Sequence, residues 1–230
     1  MGHSCSSLSK TKSKSHSAIP EQTLNVNAPA QLLVLPPLLF TNPAHFIEHA
    51  SIIARSKKHT NLWKHAIISS VLLQTPITKG IVSVTMTTLS LPMLALSGEI
   101  IFGLLDSTAP VPKFGEELGL TVNDSLSLLS VTGWLYRNTP STQHTPHYTS
   151  CHSELREGDC VRMEVDMDSN PRTVQFFVNG ESGESFVSGL PPSVRIGFTI
   201  YGLETSFRID KITQQEKPTP IAPEMEQIQW

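Results

Sequence analysis

Residues 160–180 read CVRMEVDMDSNPRTVQFFVNG and carry the clearest strand pattern in the chain. Residues 160–167 alternate apolar with mainly charged side chains, and residues 173–178 also place apolar side chains at every second position. Period-two alternation puts one set of side chains in a core and the other toward solvent. Residues 168–172 contain turn-forming Ser, Asn and Pro, and Asn-Gly at 179–180 tolerates positive φ. The stretch therefore predicts an antiparallel β-hairpin.

Short runs of β-forming residues recur on both sides of this hairpin, separated by residues that favour turns. Many short strands with regular turn signals predict an all-β sandwich or barrel. Residues 44–54 are an exception, since their apolar spacing fits a short helix. Strands are predicted at residues 62–68, 81–91, 99–105, 125–131, 160–167, 173–179, 194–200 and 206–212.

The composition narrows the class of protein. The chain has 230 residues, of which 39% are hydrophobic and 16% charged, so it can bury a core while carrying little charge. A net charge of −3 disfavours nucleic-acid binding, which usually needs a basic face. No apolar stretch approaches the roughly 20 residues of a membrane-spanning helix. Three cysteines without paired spacing predict a reduced cytoplasmic protein with no disulfide framework.

Composition also divides the chain into three parts. Residues 1–37 begin with a Ser- and Lys-rich stretch and continue as a Pro-containing linker, and we predict that they are disordered. Residues 38–214 hold the high apolar density of a single domain. Residues 215–230 contain three prolines and lose periodicity, which predicts a second disordered tail.

Several of these stretches resemble a known family. The run Val174-Gln-Phe-Phe-Val-Asn-Gly, the later Val194-Arg-Ile-Gly-Phe and the earlier Gly98-Glu-Ile-Ile-Phe-Gly resemble the core strands of SPRY domains. The resemblance covers residues 38–214. It implies a bent antiparallel β-sandwich of the concanavalin-like jelly-roll type. It also implies a module that binds a protein or peptide partner through loops at one edge, without catalysis or a cofactor.

Loops of the expected sandwich supply the candidate binding residues, because binding residues concentrate on long loops held by a rigid scaffold. A long polar loop is predicted at residues 138–153. Tyr and Arg are favoured since they dominate binding hot spots. The candidates are Pro112 and Lys113 in the 106–114 loop, Arg137, His147 and Tyr148 in or beside the long loop, and Tyr201 and Leu203 in a late turn.

The long loop also contains metal-ligand residue types, namely His144, His147, Cys151 and His152. Structural zinc sites usually place their ligands at shorter, regular spacings on rigid hairpins. An adaptable binding loop is therefore the favoured interpretation, and no metal is predicted.

The acidic residues Glu164, Asp166 and Asp168 fall on one face of the predicted strand. Such a face could hold a cation or support acid–base chemistry. Exposed strand faces are generally polar, however, so a solvated surface is the favoured interpretation.

The N-terminus matches the N-myristoylation pattern, which requires glycine at position 2 and serine or threonine at position 6, here Gly2 and Ser6. A single myristoyl chain binds membranes only marginally, with a constant of about 10⁴ M⁻¹. Palmitoylation of Cys5, or the lysines at positions 10, 12 and 14, would supply the second signal that stable anchoring needs. The alternative is a chance match in a Ser-rich tail. The pattern predicts a cytoplasmic protein attached peripherally to a membrane.

Two other functions fit a β-sandwich, because a fold alone does not fix function. The first alternative is a lectin-like domain that binds carbohydrate. The second is a hydrolase, for which the sequence marks no paired carboxylates in a pocket. The sequence leaves the partner's identity and the oligomeric state open.

Overall fold

The computed structural model describes residues 31–32, 38–40, 53–55, 68–91, 98–111, 125–129, 134–138, 147–202 and 205–230. Every regular element in these ranges is a β-strand. The strands are β1 (Gln31–Leu32), β2 (Leu38–Phe40), β3 (Ile53–Arg55), β4 (Ile68–Leu73), β5 (Ile81–Ser90), β6 (Gly98–Asp106), β7 (Ser125–Leu129), β8 (Trp134–Asn138), β9 (His147–Ser150), β10 (Cys160–Asp166), β11 (Thr173–Val178), β12 (Glu181–Ser188), β13 (Val194–Gly202), β14 (Ser206–Gln215) and β15 (Glu226–Gln229).

The strands form two sheets. Sheet A has the order β1-β14-β5-β10-β11-β12-β15, with β3 also paired to β14. Sheet B has the order β2-β4-β13-β6-β7-β8-β9. The described pairings are antiparallel except for β12 with β15, which run parallel. No helix of the described residues is long and apolar enough to cross a membrane.

The predicted hairpin is confirmed as β10 and β11. Met163 lies opposite Phe176, and Val165 lies opposite Val174. All four side chains are fully buried in the core between the sheets. Cross-strand apolar pairs of this kind are the main unit of sheet stabilisation.

Aromatic packing joins the two sheets. Phe102 of β6 and Phe198 of β13 meet edge to face, with ring centroids 6.4 Å apart. Phe207 of β14 lies 5.0 Å from Phe198, measured between ring centroids. Offset and edge-on aromatic pairs contribute beyond the area that they bury. The β-sandwich that the SPRY resemblance implies is therefore confirmed.

Several element boundaries differ from the predictions. Of the strand predicted at 62–68 only Ile68 is among the described residues, and it is the first residue of β4, which continues beyond the prediction to Leu73. The helix expected at 44–54 is wrong at its end, because Ala54 pairs with Phe207 in the sheet. Residues 44–52 are not described. Hydrogen bonding to β14 outweighs the local helical spacing at this point.

The prediction of a disordered C-terminal tail is wrong. Gln215 is the last residue of β14, and β15 extends sheet A beside β12. Trp230 then donates its backbone N–H to the Ser188 carbonyl at 2.9 Å. The free edge of β12 orders this segment by satisfying its backbone groups. Residues 216–225, which connect β14 to β15, are called the strap below.

The N-terminal boundary also shifts. Gln31 and Leu32, assigned by prediction to the linker, form β1 against β14. Residues 1–30 and 33–37 of the predicted tail lie outside the described residues.

Candidate functional site at one end of the sandwich

Connections leave the sandwich at two opposite ends, and strand register identifies which connections share an end. Asp106 ends β6 opposite Val194, which begins β13. Ser125 begins β7 opposite both Leu105 and Asn138, the last residue of β8. The connections β6–β7, β8–β9 and β12–β13 therefore leave or enter at the same end.

Two further connections share this end. Ile77, between β4 and β5, forms an isolated bridge with Val194. In sheet A, Asp166 at the end of β10 lies opposite Ile81, the start of β5, which places the β10–β11 turn there as well. We call this end, where residues 74–80, 107–124, 139–146, 167–172 and 189–193 connect the strands, the first end.

Hydrogen bonds tie the first-end connections to one another. Ile77 donates to the Val194 carbonyl at 2.7 Å, and Val194 donates back at 3.0 Å. The Ser107 hydroxyl donates to Ser193 Oγ at 2.6 Å, beside a backbone bond between the same residues. Three connections are thus fixed relative to one another, which lowers the entropy that a binding surface loses on contact with a ligand.

The start of the β6–β7 connection is shaped by Asp106. Its Oδ1 accepts from the Thr108 backbone N–H at 2.8 Å and from the Thr108 hydroxyl at 2.7 Å. This is an Asx turn, in which a side chain replaces a backbone partner. The turn leads to Val111, whose 42% exposure is unusual for a large apolar residue. Pro112 and Lys113, predicted as binding residues, follow directly but lie outside the described residues.

The structure brings three of the predicted residues together. Arg137 of β8 is the register partner of His147 of β9, and Tyr148 pairs with Tyr136. The prediction of one long loop is wrong here, because these residues belong to two paired strands. Arg137 is next to the last residue of β8 and His147 is the first of β9, so all three flank the first end.

Tyr201 lies elsewhere. It is a strand residue of β13, opposite Ile68 and Glu99, and not part of a turn as predicted. It follows Val194 by seven positions in the same strand, which corresponds to roughly 23 Å. Tyr201 is therefore at the second end and cannot share one compact site with Arg137. Leu203, the other residue of that predicted turn, is outside the described residues.

Where the structure describes the second end, in the turns beside β5, β10 and β11, the polar groups bond to one another. Asn179 donates to Asp159 Oδ1 at 2.8 Å, and Asp159 Oδ2 accepts from the Arg156 backbone at 2.6 Å. Thr88 donates its hydroxyl to the Arg156 carbonyl at 2.5 Å. Asn179 has a φ of 53°, which its residue type tolerates in a tight turn. The side chains of Asn179, Asp159 and Thr88 are therefore used in holding these turns together.

Cys151 and His152, once considered as metal ligands, are packed against β12. The Cys151 thiol donates to the Ser185 carbonyl at 3.6 Å, and burial raises its pKa to about 12. His152 Nε2 lies 3.2 Å from the Phe176 carbonyl, and burial lowers the pKa of this imidazole. The part of the chain that the structure describes contains no cluster of three or more metal-ligating side chains.

The interpretation of the acidic strand face as solvated is wrong for two of its three residues. Glu164 is 2% exposed and Asp166 is 4% exposed, whereas Asp168 is exposed. The strap covers this face: the backbone N–H of Thr219 donates to Glu164 Oε1 at 2.6 Å. Arg162 Nη1 neutralises the carboxylate at 2.5 Å. Glu164 alternates with core residues just as a solvated residue would, so the local sequence carries no signal for its burial, and its partner Thr219 lies 55 residues away.

Comparisons with known proteins add information on the fold. No family model matches the sequence, and no curated protein matches it. Among solved structures, the SPRY domain of human HERC1 superposes with a TM-score of 0.53 at 16% identity, covering 77% of this chain and 99% of that domain.

Two lectin structures are also similar, with lower scores. The exoplasmic domain of VIP36, bound to Ca²⁺ and Man3GlcNAc, gives a TM-score of 0.48 at 12% identity and covers 83% of this chain and 90% of that one. Lectin UEA-II complexed with galactose gives 0.46 at 11% identity, covering 76% and 91% of the two chains. With the described sheet order and the HERC1 superposition together, the chain has a SPRY-like β-sandwich fold.

Proposed function

We propose that this protein is a non-catalytic interaction module that binds a segment of a partner protein at the first end. The observation that carries the proposal is the convergence of five connections at that end, three of them hydrogen-bonded to one another. Connections positioned by a rigid scaffold are where binding residues concentrate.

The composition of the first end fits protein recognition. Val111 offers an exposed apolar side chain, and the Asx turn at Asp106 fixes the backbone that leads to it. Arg137 and Tyr148, two residue types that dominate hot spots, flank the same end in β8 and β9. Lys113, which belongs to the same β6–β7 connection as Val111 in the sequence, would add a positive charge. The proposed surface therefore combines apolar, aromatic and cationic groups.

The absence of catalysis is part of the proposal. Three buried or half-buried titratable groups of the described chain are engaged by the protein itself: the Cys151 thiol by Ser185, the His152 ring by Phe176 and the Glu164 carboxylate by Arg162 and Thr219. A nucleophile or general base needs a free face toward substrate. These contacts support a structural role for all three groups.

A peptide-display selection tests the proposal. The full chain is immobilised, random peptides are selected on it, and the affinity of a recurring peptide is measured in solution. We expect the triple change Lys113→Ala, Arg137→Ala and Tyr148→Ala to weaken binding by at least about tenfold, since hot-spot truncations cost more than about 1 kcal/mol. Tyr201→Ala serves as the matched control at the second end.

Carbohydrate binding is the alternative function, and the same protein tests it. The full chain is also tested on a glycan array. A lectin function would be supported if the free sugar released the chain from the array and the peptide selection recovered no binding peptide. Retention of peptides alone would support the interaction module.

We further propose that the protein is cytoplasmic and anchored to a membrane through Gly2 and Cys5. The support is the sequence pattern, in which an acylation site, a second acylable residue and three lysines fall within fourteen residues. Gly2→Ala should abolish membrane association, measured by fractionation of expressing cells, while Cys5→Ser should weaken it. Unchanged association of the Gly2→Ala chain would contradict anchoring by this route.

A further inference from the structure

The strap crosses the outer face of sheet A. Gln215 ends β14 on one side of the sheet, and β15 pairs with β12 on the other. Along the way Thr219 contacts Glu164 of β10 and Gln175 of β11. The core-facing residues of β10 and β11 alternate with these, so both contacts lie on the face turned away from the core.

Thr219 is the point where the strap is fastened. Its backbone N–H donates to Glu164 Oε1 at 2.6 Å and its hydroxyl donates to Glu164 Oε2 at 2.8 Å. Its carbonyl accepts from Gln175 Nε2 at 2.9 Å. Every polar group of this one residue is thus used against the sheet. A buried carboxylate that accepts two such bonds would be left with unpaired lone pairs if the strap lifted.

The strap residues next to Thr219 are open to solvent, whereas Met225, where the strap ends, is buried. Glu216, Lys217 and Pro218 are exposed before Thr219, and Pro220 and Ile221 are exposed after it. The prolines on either side restrict the segment to an extended conformation. Gln175 Oε1, next to the amide nitrogen that contacts Thr219, is buried and has no hydrogen-bond partner. Docking of the strap therefore leaves this oxygen unsatisfied, while Thr219 supplies the polar contacts with Glu164 and Gln175.

The charges around Thr219 balance only while its hydroxyl is neutral. Glu164 carries one negative charge, and Arg162 pairs with it while lying 3.5 Å from the Phe177 ring centroid. The same Arg162 Nη1 also donates to the Thr219 hydroxyl oxygen at 3.3 Å, so one guanidinium already serves both groups. A phosphate on Thr219 would add about −1.5 to −2 at neutral pH. The single guanidinium cannot neutralise both groups. Lys217 is exposed, where an ion pair contributes at most about 1 kcal/mol.

We propose that Thr219 is a phosphorylation site and that its phosphate releases the strap and β15 from sheet A. A protein kinase would transfer the γ-phosphoryl group of a nucleoside triphosphate to Oγ1. Oγ1 bonds to the γ-phosphorus as the bond from that phosphorus to the β-phosphate oxygen breaks, the hydroxyl proton passes to the catalytic base of the kinase, and the nucleoside diphosphate leaves. The hydroxyl then no longer donates to Glu164, and the phosphate faces the Glu164 carboxylate, which is itself only 2% exposed.

Release would uncover two features of sheet A. The edge of β12 would lose its parallel partner, and an unpaired edge is available to another strand. The outer face would also expose Phe177 and Phe186, which are 2% and 8% exposed with the strap in place. This inference does not depend on the first end being a binding site.

The modification is tested by incubating the full chain with ATP and a purified kinase that prefers threonine followed by proline. We expect mass spectrometry to find phosphate on Thr219, and a chain that takes up none there would overturn the site. A Thr219→Val chain, treated identically, controls for phosphate on other residues.

The release is tested on a full chain carrying phosphothreonine at 219 by semisynthesis. Hydrogen exchange of the β15 amides should accelerate at least tenfold relative to the unmodified semisynthetic chain, while β10 and β11 keep their protection. Equal protection of β15 in both chains would overturn the proposal, as would loss of protection throughout β10 and β11. In a Glu164→Gln background the acceleration should be smaller, and an equal acceleration would exclude repulsion by Glu164.

Discussion

Gly183 illustrates how a single residue constrains the sandwich. A Cβ at this position of β12 would overlap the Cys151 sulfur and would lie 2.9 Å from His152 Nε2. The segment after β9 therefore packs directly on the β12 backbone. We expect Gly183→Ala to destabilise the protein by about 1–3 kcal/mol through overpacking. Urea denaturation, followed by tryptophan fluorescence, measures the change.

A variant that carries both Gly183→Ala and Cys151→Ala identifies the cause of the Gly183→Ala effect. Removing the sulfur with Cys151→Ala should relieve part of the crowding, so the two losses should sum to more than the loss in the double variant. Additive losses would show that crowding against the sulfur is not responsible. Ser182→Ala, an exposed neighbour in the same strand, should change stability little.

His152 gives a pH dependence whose sign follows from its environment. Burial lowers the pKa of the His152 imidazole below the ordinary value of 6.5. Just below pH 6.5 the imidazole is therefore protonated in the unfolded chain and still neutral in the folded chain. Its contribution to stability is therefore complete above pH 6.5 and is lost as the pH falls through 6.5 toward the folded pKa. The stability advantage of the native chain over His152→Gln should shrink between pH 7.5 and 5.5.

Thermal unfolding of both chains at several pH values measures this difference, and the other histidines cancel in the comparison. An advantage that stays constant or grows as the pH falls would contradict the burial argument.

At the scale of elements, the strap and β15 are predicted to be part of the folded unit. Truncation after Gln215 would strip Glu164 of both Thr219 donors and uncover Phe177, so we expect a loss of about 3 kcal/mol. Thr219→Val removes only the hydroxyl donor and should cost about 1–2 kcal/mol. Urea midpoints of the three chains measure both, and a truncated chain as stable as the full one would refute this role of the strap.

The sequence predicted elements where local pattern and tertiary pairing agree. The β10–β11 hairpin was predictable because its alternation is regular and its turn residues are clear. In contrast, β12 reads ESGESFVS and contains a register shift against β11, so no period-two pattern marks it. The prolines of the strap predict an irregular tail, whereas its hydrogen bonds to Glu164 join residues 55 positions apart and leave no local pattern.

At the scale of the whole molecule, topology decides which predicted residues can act together. Residue types alone suggested one set of loop residues, yet the register separates Arg137 from Tyr201 by most of the sandwich length. Such a separation depends on strand order, which no local pattern contains. The candidate site was therefore predictable in residue types and partly in position, whereas its restriction to the first end required the sheet topology.

The central claim is that the first end binds a protein segment, and the affinity of a selected peptide tests it most directly. Fluorescence anisotropy with the full chain should give saturable binding. The triple variant of Lys113, Arg137 and Tyr148 should bind at least about tenfold more weakly. Tyr201→Ala should bind as the native chain does, with thermal unfolding confirming that both variants are folded. Equal affinity of the native and triple-variant chains, or a loss confined to Tyr201→Ala, would contradict recognition at the first end.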